Sequence, residues 1–183
     1  AVDQGAVGAA QVLEERVLEG EIPKGDDGPA EAARFFAENT DRVHGGLGGA
    51  PKFPNPACHD LVLRVYHRTR EPALLRSLEL TLDRMAAGGI YDHLGGGFAR
   101  YSVDERWAVP HFEKMLYDNG QLVKLYADAY RVTGKRSWRR VFEETITYVL
   151  RDMTSSTALP CSAAQSSWIR WKRRVWKAFV RSS

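Results

Sequence analysis

The chain has 183 residues, 44% of them hydrophobic, which suits one globular domain with a buried core. Its formal charge of +3 hides an asymmetry, because residues 154–183 hold six Lys or Arg and no acid, leaving 20 basic and 23 acidic side chains in the body. A nucleic-acid partner would rest on that tail alone and is not expected; nor is a membrane span, since no apolar run approaches the ~20 residues that one needs.

In chain order, Val7 to Leu18 carries apolar residues at helical spacing, and Glu19 to Gly28 reads as a polar linker. A helix is predicted over Pro29–Asn39, with Phe35 and Phe36 on its buried side. Asp41 to Pro56, DRVHGGLGGAPKFPNP, has four Gly and three Pro, so it is predicted to be an ordered surface loop. Lys52, stiffened between Pro51 and Phe53, is an exposed lysine unless that loop faces a pocket. A helical hairpin follows, Cys58–Thr69 with Pro72–Ala87. A second is predicted from Pro110–Thr133 and Ser137–Met153. Tyr66 and Thr69 end the first helix of one pair as Tyr130 and Thr133 end that of the other, a weak internal repeat.

Between the hairpins lies the densest chemistry, GGIYDHLGGGFARYSVDERWAVPHFEKMLYDNGQL, residues 88–122. Gly88 and Gly89 are predicted to close a helix through the left-handed backbone that glycine tolerates. Gly95, Gly96 and Gly97 form a tight turn anchored by Phe98 and Tyr101. Val109 before Pro110 is pushed out of helical geometry, and Pro110 suits a first helical turn. His111, Glu113 and Lys114 would then occupy an electropositive helix N-terminus that attracts anionic or hydroxyl-rich ligands, with Trp107, Phe112, Met115, Leu116 and Leu122 covering much of its surface.

Two cysteines, Cys58 and Cys161, show no C-x-x-C and no zinc spacing, so no metal, cofactor or disulfide is expected. Ala1–Gly20 lacks the basic start and apolar block of a secretory leader, and a cytoplasmic location is expected. The absence of an initiator Met suggests an excised or partial chain.

The segments GGLGGAPKFP, GGIYDHLGGGFARYSVDERWAVPHFEKMLYDN and YRVTG resemble the thioredoxin-domain-containing, spermatogenesis-associated protein family. The helical part of that family is similar to six-hairpin glycosidases and N-acylglucosamine 2-epimerases. The resemblance spans roughly residues 30–155. It implies an all-α fold, a partial (α/α)6 toroid of helical hairpins with long Gly-rich loops. The implied divisions are 1–39 as an N-terminal helical linker region, 40–153 as the partial six-hairpin domain and 154–183 as an atypical basic tail. Leu47, Ala99 and Gly120 stand where the family tends to have Phe, His and Ala. Neither a thioredoxin domain with its C-x-x-C nor more than two full hairpins is present in the sequence.

The implied catalytic candidates are His93, His111, Glu113 and Asp104. Lys52, Arg100, Tyr101, Trp107, Lys114, Tyr117, Asp118 and Asn119 are the implied substrate-binding candidates. In an epimerase reading, His93 or His111 abstracts a proton beside a carbonyl while Arg100 holds the oxyanion, and Trp107 and Tyr101 stack on the sugar. In a hydrolase reading, two of Asp92, Asp104, Glu113 and Asp118 act as acid and base. The alternative is a non-catalytic interaction or redox-accessory module serving the thioredoxin domain of longer relatives. The expected partner is a sugar-like small molecule, and the chain by itself is expected to be inactive.

The tail, SSTALPCSAAQSSWIRWKRRVWKAFVRSS, leaves the family pattern and carries three of the five Trp. A shifted reading frame is favoured. If Arg170 uses a CGN codon, starting one base earlier across Trp168–Lys172 restores a hydrophobic, Asp, small, hydrophobic, Glu order. The rival is a basic amphipathic helix through Trp168, Trp171, Val175 and Phe179.

Overall fold

The computed structural model describes residues 28–154; the helix and linker expected before it and the tail expected after it lie outside the described residues. Within that span are five helices: α1 (Gly28–Glu38), α2 (Pro56–Thr69), α3 (Pro72–Ala87), α4 (Leu116–Thr133) and α5 (Arg136–Asp152). Pro56 and Pro72 sit in the first turns of α2 and α3, where the missing N–H would be unpaired anyway. β-Pairing among the described residues is limited to isolated bridges.

The weak repeat of the sequence is a shared way of turning a hairpin. Arg70 (φ 60°) donates its N–H to the Tyr66 carbonyl at 2.8 Å, and Gly134 (φ 74°) donates to the Tyr130 carbonyl at 2.7 Å. The Thr69 hydroxyl donates to the Val65 carbonyl at 3.0 Å and accepts the Glu71 N–H at 3.3 Å. Thr133 does the same with Ala129 at 2.8 Å and Lys135 at 3.3 Å. Each turn thus satisfies the carbonyls that a helix end leaves open and starts the next helix two residues later.

All five helices build the core: α4 packs on α5, α2 packs on α1, α3 and α4, and α1 also packs on α3. Leu74, Leu78, Leu82 and Met85 of α3, Leu122, Tyr126 and Ala129 of α4 and Trp138 and Phe142 of α5 are all buried. Each large aliphatic side chain contributes roughly 1.5–3 kcal/mol by leaving water. Polar ties fix the register. Tyr126 donates to the Leu82 carbonyl at 2.8 Å, and the Trp138 indole donates to Asp83 at 2.8 Å. Lys124 of α4 reaches Asp60 of α2.

The two glycine loops are built alike. Asp41 takes the N–H groups of Val43 and His44 on Oδ1 at 2.8 and 3.0 Å, as Asp92 takes those of Leu94 and Gly95 at 3.0 and 2.8 Å. The ammonium of Lys52 then closes the first loop and that of Lys114 the second. The second loop requires glycine on two counts: Gly96 and Gly97 have φ of 79° and 83°, and a Cβ on Gly97 would enter the Tyr148 ring.

Three expectations are corrected. The helix predicted from Pro110 begins at Leu116, because Pro110 forms a β-bridge with Ser102 and the His111 N–H bonds the Tyr101 carbonyl at 2.9 Å. His111, Glu113 and Lys114 therefore lie on an extended strap and not on a helix N-terminus. Gly88 ends α3 in an extended conformation, φ −81°, so left-handed backbone is not its reason. Close approach is, since a Cβ there would lie 2.5 Å from the Trp107 carbonyl oxygen, and one on Gly89 would strike that of Ala108. Finally, Phe112, Leu116 and Tyr117 are exposed, Phe112 almost fully at 94%.

Candidate functional site

The strap between the second glycine loop and α4 doubles back on itself. The Arg100 N–H bonds the Glu113 carbonyl at 2.7 Å, His111 bonds Tyr101, and the Val103 N–H bonds the Val109 carbonyl at 2.9 Å. Ser102 exchanges both backbone bonds with Lys52, at 2.8 and 2.9 Å, which ties the strap to the first loop. The tip is held by Asp104, which accepts the N–H groups of Arg106, Ala108 and Val109 and the Ser102 hydroxyl. Burial would raise the Asp104 pKa, but these donors outweigh it and hold the carboxyl below its ordinary value.

This pairing brings four candidates together. The His111 and Tyr101 rings are stacked, with centroids 4.5 Å apart and planes 7° from parallel, and Phe53 stacks on Tyr101 at 4.8 Å. His111 Nε2 lies 3.7 Å from Glu113 Oε2, and the Arg100 guanidinium lies 3.5 Å from that same oxygen. These three side chains are each a little under half exposed, so they are open to a ligand. Ion pairs so exposed hold geometry more than they stabilise the fold, each contributing under ~1 kcal/mol. Asp118, in the first turn of α4, senses the charges of Arg100 and Glu113. Its pKa is raised, first by burial and then by Glu113, with Arg100 opposing.

Other candidates serve the scaffold. Lys52 is fully buried, donating to Asp41 at 2.7 Å and the Gly45 carbonyl at 2.8 Å, with Trp107 in cation–π contact. Trp107 is fully buried, and its indole donates to the His44 carbonyl at 2.8 Å, so it has no face for a sugar. Asn119, equally buried, pairs with both backbone groups of Phe98 and with the Met115 carbonyl. Lys114 is spent on Asp92 and the Gly96 carbonyl, over the Tyr148 ring. His93 is exposed at Leu94's side of the loop, with Nε2 3.0 Å from the Gly88 carbonyl and its ring edge-on to Tyr91. Tyr117 is half exposed beside Asp118.

Sequence reasoning missed Phe53 as part of the aromatic stack; its only signal was confinement between Lys52 and Pro54. An open groove of about 570 Å³ lies elsewhere, lined by Arg34, Arg42, Glu71 and Arg76 among others. None of the strap candidates lines it, and proton-transfer chemistry is concentrated on the strap instead.

The described helices are all-α and resemble part of an (α/α)6 epimerase fold. The described architecture is similar to that of the cellobiose 2-epimerase from Spirochaeta thermophila DSM 6192, with TM-score 0.56 and 22% identity over 67% of this chain and 35% of that one. The chain is also similar in sequence to proteins named spermatogenesis-associated protein 20, a name that agrees with the resemblance of its motifs. The chain is 40% identical over 121 residues to the protein of that name from Rattus norvegicus and 41% identical over 121 residues to that from Homo sapiens. Both matches cover 64% of this chain, which spans 15% of the length of these curated relatives. No family model matches the chain. No helix among the described residues is long and apolar enough to cross a membrane.

Proposed function

We propose that this chain supplies the sugar-facing strap of a carbohydrate-processing helical toroid, in which His111 is the base and Arg100 holds the negative charge that develops on a substrate oxygen. The observation that carries the reading is the half-exposed group of His111, Glu113 and Arg100, set against the Tyr101–Phe53 stack. A neutral imidazole can take a proton from carbon beside a carbonyl. The Glu113 carboxylate at 3.7 Å then stabilises the imidazolium. Arg100 is the cation placed to meet an oxyanion.

The fold likeness to an epimerase supports a carbohydrate as substrate class, and it covers 35% of that protein. A closed ring therefore needs more hairpins than the described ones, and turnover is assigned to longer relatives. The test is deuterium wash-in beside the carbonyl of cellobiose or N-acetylglucosamine in D₂O. The rat relative is to exchange, and replacement by Gln at its position matching His111 is to lower the rate by on the order of 10²–10⁴. Exchange unaffected by that change removes His111 as base.

One observation favours a second reading, a non-catalytic module that serves a thioredoxin domain. Leu94 and Phe112 project into solvent, at 101% and 94% exposure, which suits a protein surface better than a sugar. Binding of an isolated thioredoxin domain, without any sugar exchange, would favour it.

A further inference from the structure

The open groove of about 570 Å³ stands apart from the strap, walled by the end of α1, the first half of α3 and the first glycine loop. Its volume falls within the roughly 300–1,000 Å³ of small-molecule sites. Ala37, Ala73, Leu74 and Leu80 give it a shallow aliphatic lining, and none of its lining residues among those described is an aromatic on which a sugar could stack. Selective binding there has to come from its polar rim.

Much of that rim is already committed. The Arg34 guanidinium forks onto Glu71, from Nε to Oε2 at 3.0 Å and from a terminal nitrogen to Oε1 at 2.6 Å. The Thr40 hydroxyl donates to the Phe36 carbonyl and the Ser77 hydroxyl to the Leu74 carbonyl, each at 2.9 Å. By contrast, the side chains of Arg42, Arg76 and Glu38 have no hydrogen bond or ion pair among the described residues. The uncommitted donors are therefore two guanidinium groups, whose planar forks match the oxygens of a phosphate. The uncommitted acceptor is a carboxylate, which repels a second anion and takes a hydroxyl. Both cations stand on fixed backbone. Arg76 lies within α3, and Arg42 follows Asp41, whose N–H bonds the Gly46 carbonyl at 2.9 Å and whose carboxylate Lys52 clasps at 2.7 Å.

We infer that this groove binds a small phosphomonoester that carries hydroxyls, with the phosphate held by Arg42 and Arg76 and a hydroxyl by Glu38. A dianionic phosphate answers two cations that lack a partner, whereas a neutral sugar answers neither. The site goes beyond the strap reading and does not depend on it. Water and salt screen charges so exposed, so the affinity is modest, on the order of 0.1–1 mM, and falls as ionic strength rises.

The test is an NMR titration of the full chain with glucose 6-phosphate, inorganic phosphate and glucose, read at the side-chain N–H signals of Arg42 and Arg76. Glucose 6-phosphate is to shift both saturably, inorganic phosphate is to do so more weakly, and glucose is to leave them unmoved. Arg42→Gln and Arg76→Gln are each to weaken glucose 6-phosphate by about tenfold. Glu38→Ala is to erase its preference over inorganic phosphate. Arg131→Gln, at an exposed arginine of α4 outside the groove, is to change nothing. No saturation by about 10 mM, or equal weakening by Arg131→Gln, overturns the site. Displacement of glucose 6-phosphate by tetraglutamate at lower concentrations than by inorganic phosphate assigns the groove to an acidic polypeptide and overturns the phosphomonoester.

Discussion

Lys52 and Lys114 hold equivalent places in two successive loops: each ammonium bonds an Asp at 2.7 Å and the carbonyl of the Gly four residues after that Asp, at 2.8 Å for Lys52 and 2.9 Å for Lys114. The loops thereby become rigid mounts, the second directly before the strap that bears His111 and Glu113. The two clasps differ in depth. Lys52 is fully buried with its Asp41 partner 24% exposed, whereas Lys114 and Asp92 are 22% and 38% exposed. Lys52→Met is expected to destabilise by about 3 kcal/mol, since it strands a partly buried carboxylate. Lys114→Met is expected to cost about 1 kcal/mol. Urea unfolding of the full chain measures both, and equal costs would contradict the difference in burial.

His59 gives the fold an acid limit. It is buried on α2 with Nε2 unpartnered among the described residues, and burial lowers its pKa from 6.5 to about 4. A depressed pKa means that the unfolded chain binds the proton first, so stability falls as pH drops from 6.5 and levels off below about 4. The full loss is up to about 3 kcal/mol. His59→Leu is expected to flatten this part of the profile. An unchanged slope between pH 6.5 and 4 would contradict it.

The Asp carboxyls of the two clasps act at lower pH. Backbone donation from Gly95 and then the Lys114 bond hold Asp92 at about 2, and Asp41 reaches about 2 because Lys52, His44 and Val43 outweigh burial. Their contribution is present above an unfolded value of 3.8 and is lost as pH falls toward 2. Thermal unfolding of Asp92→Asn should lose this last acid-dependent step in part and keep the one assigned to His59.

Glycine substitutions separate necessity from accident. Gly97→Ala puts a Cβ into the Tyr148 ring at φ 83° and is expected to cost about 2–4 kcal/mol. Gly120, inside α4, has open space where a Cβ would be, so Gly120→Ala is expected to stabilise by about 0.5–1 kcal/mol. Melting temperatures of the two variants should move in opposite directions.

The hairpins were legible because their signals are local. Pro72 and Ala87 bound α3 as the spacing predicts, and the Tyr-x-x-Thr repeat marks two turns with the same hydrogen bonds. The strap was not legible, because Val109-Pro110 is equally good chemistry for a helix start and for an extended segment. The choice fell to pairing with Tyr101 and Ser102, which no local pattern records. Likewise Lys52 shows nothing in sequence of its burial, since its partner Asp41 lies eleven residues away across a glycine loop. The residues of the candidate site were named within a larger set. Separating Arg100, His111, Glu113 and Asp118 from Lys52, Asp104, Trp107 and Asn119 required their hydrogen-bond partners.

The most direct measurement of the carbohydrate reading is an NMR titration of the full chain with cellobiose, following the side chains of Phe53, Tyr101, His111, Glu113 and Asp118. The account predicts saturable shifts confined to these residues, lost in His111→Gln with Arg100→Gln, with Arg34, Arg42 and Arg76 in the groove between α1 and α3 unmoved. Saturating shifts in that groove alone, or none at any residue of the strap, would contradict it.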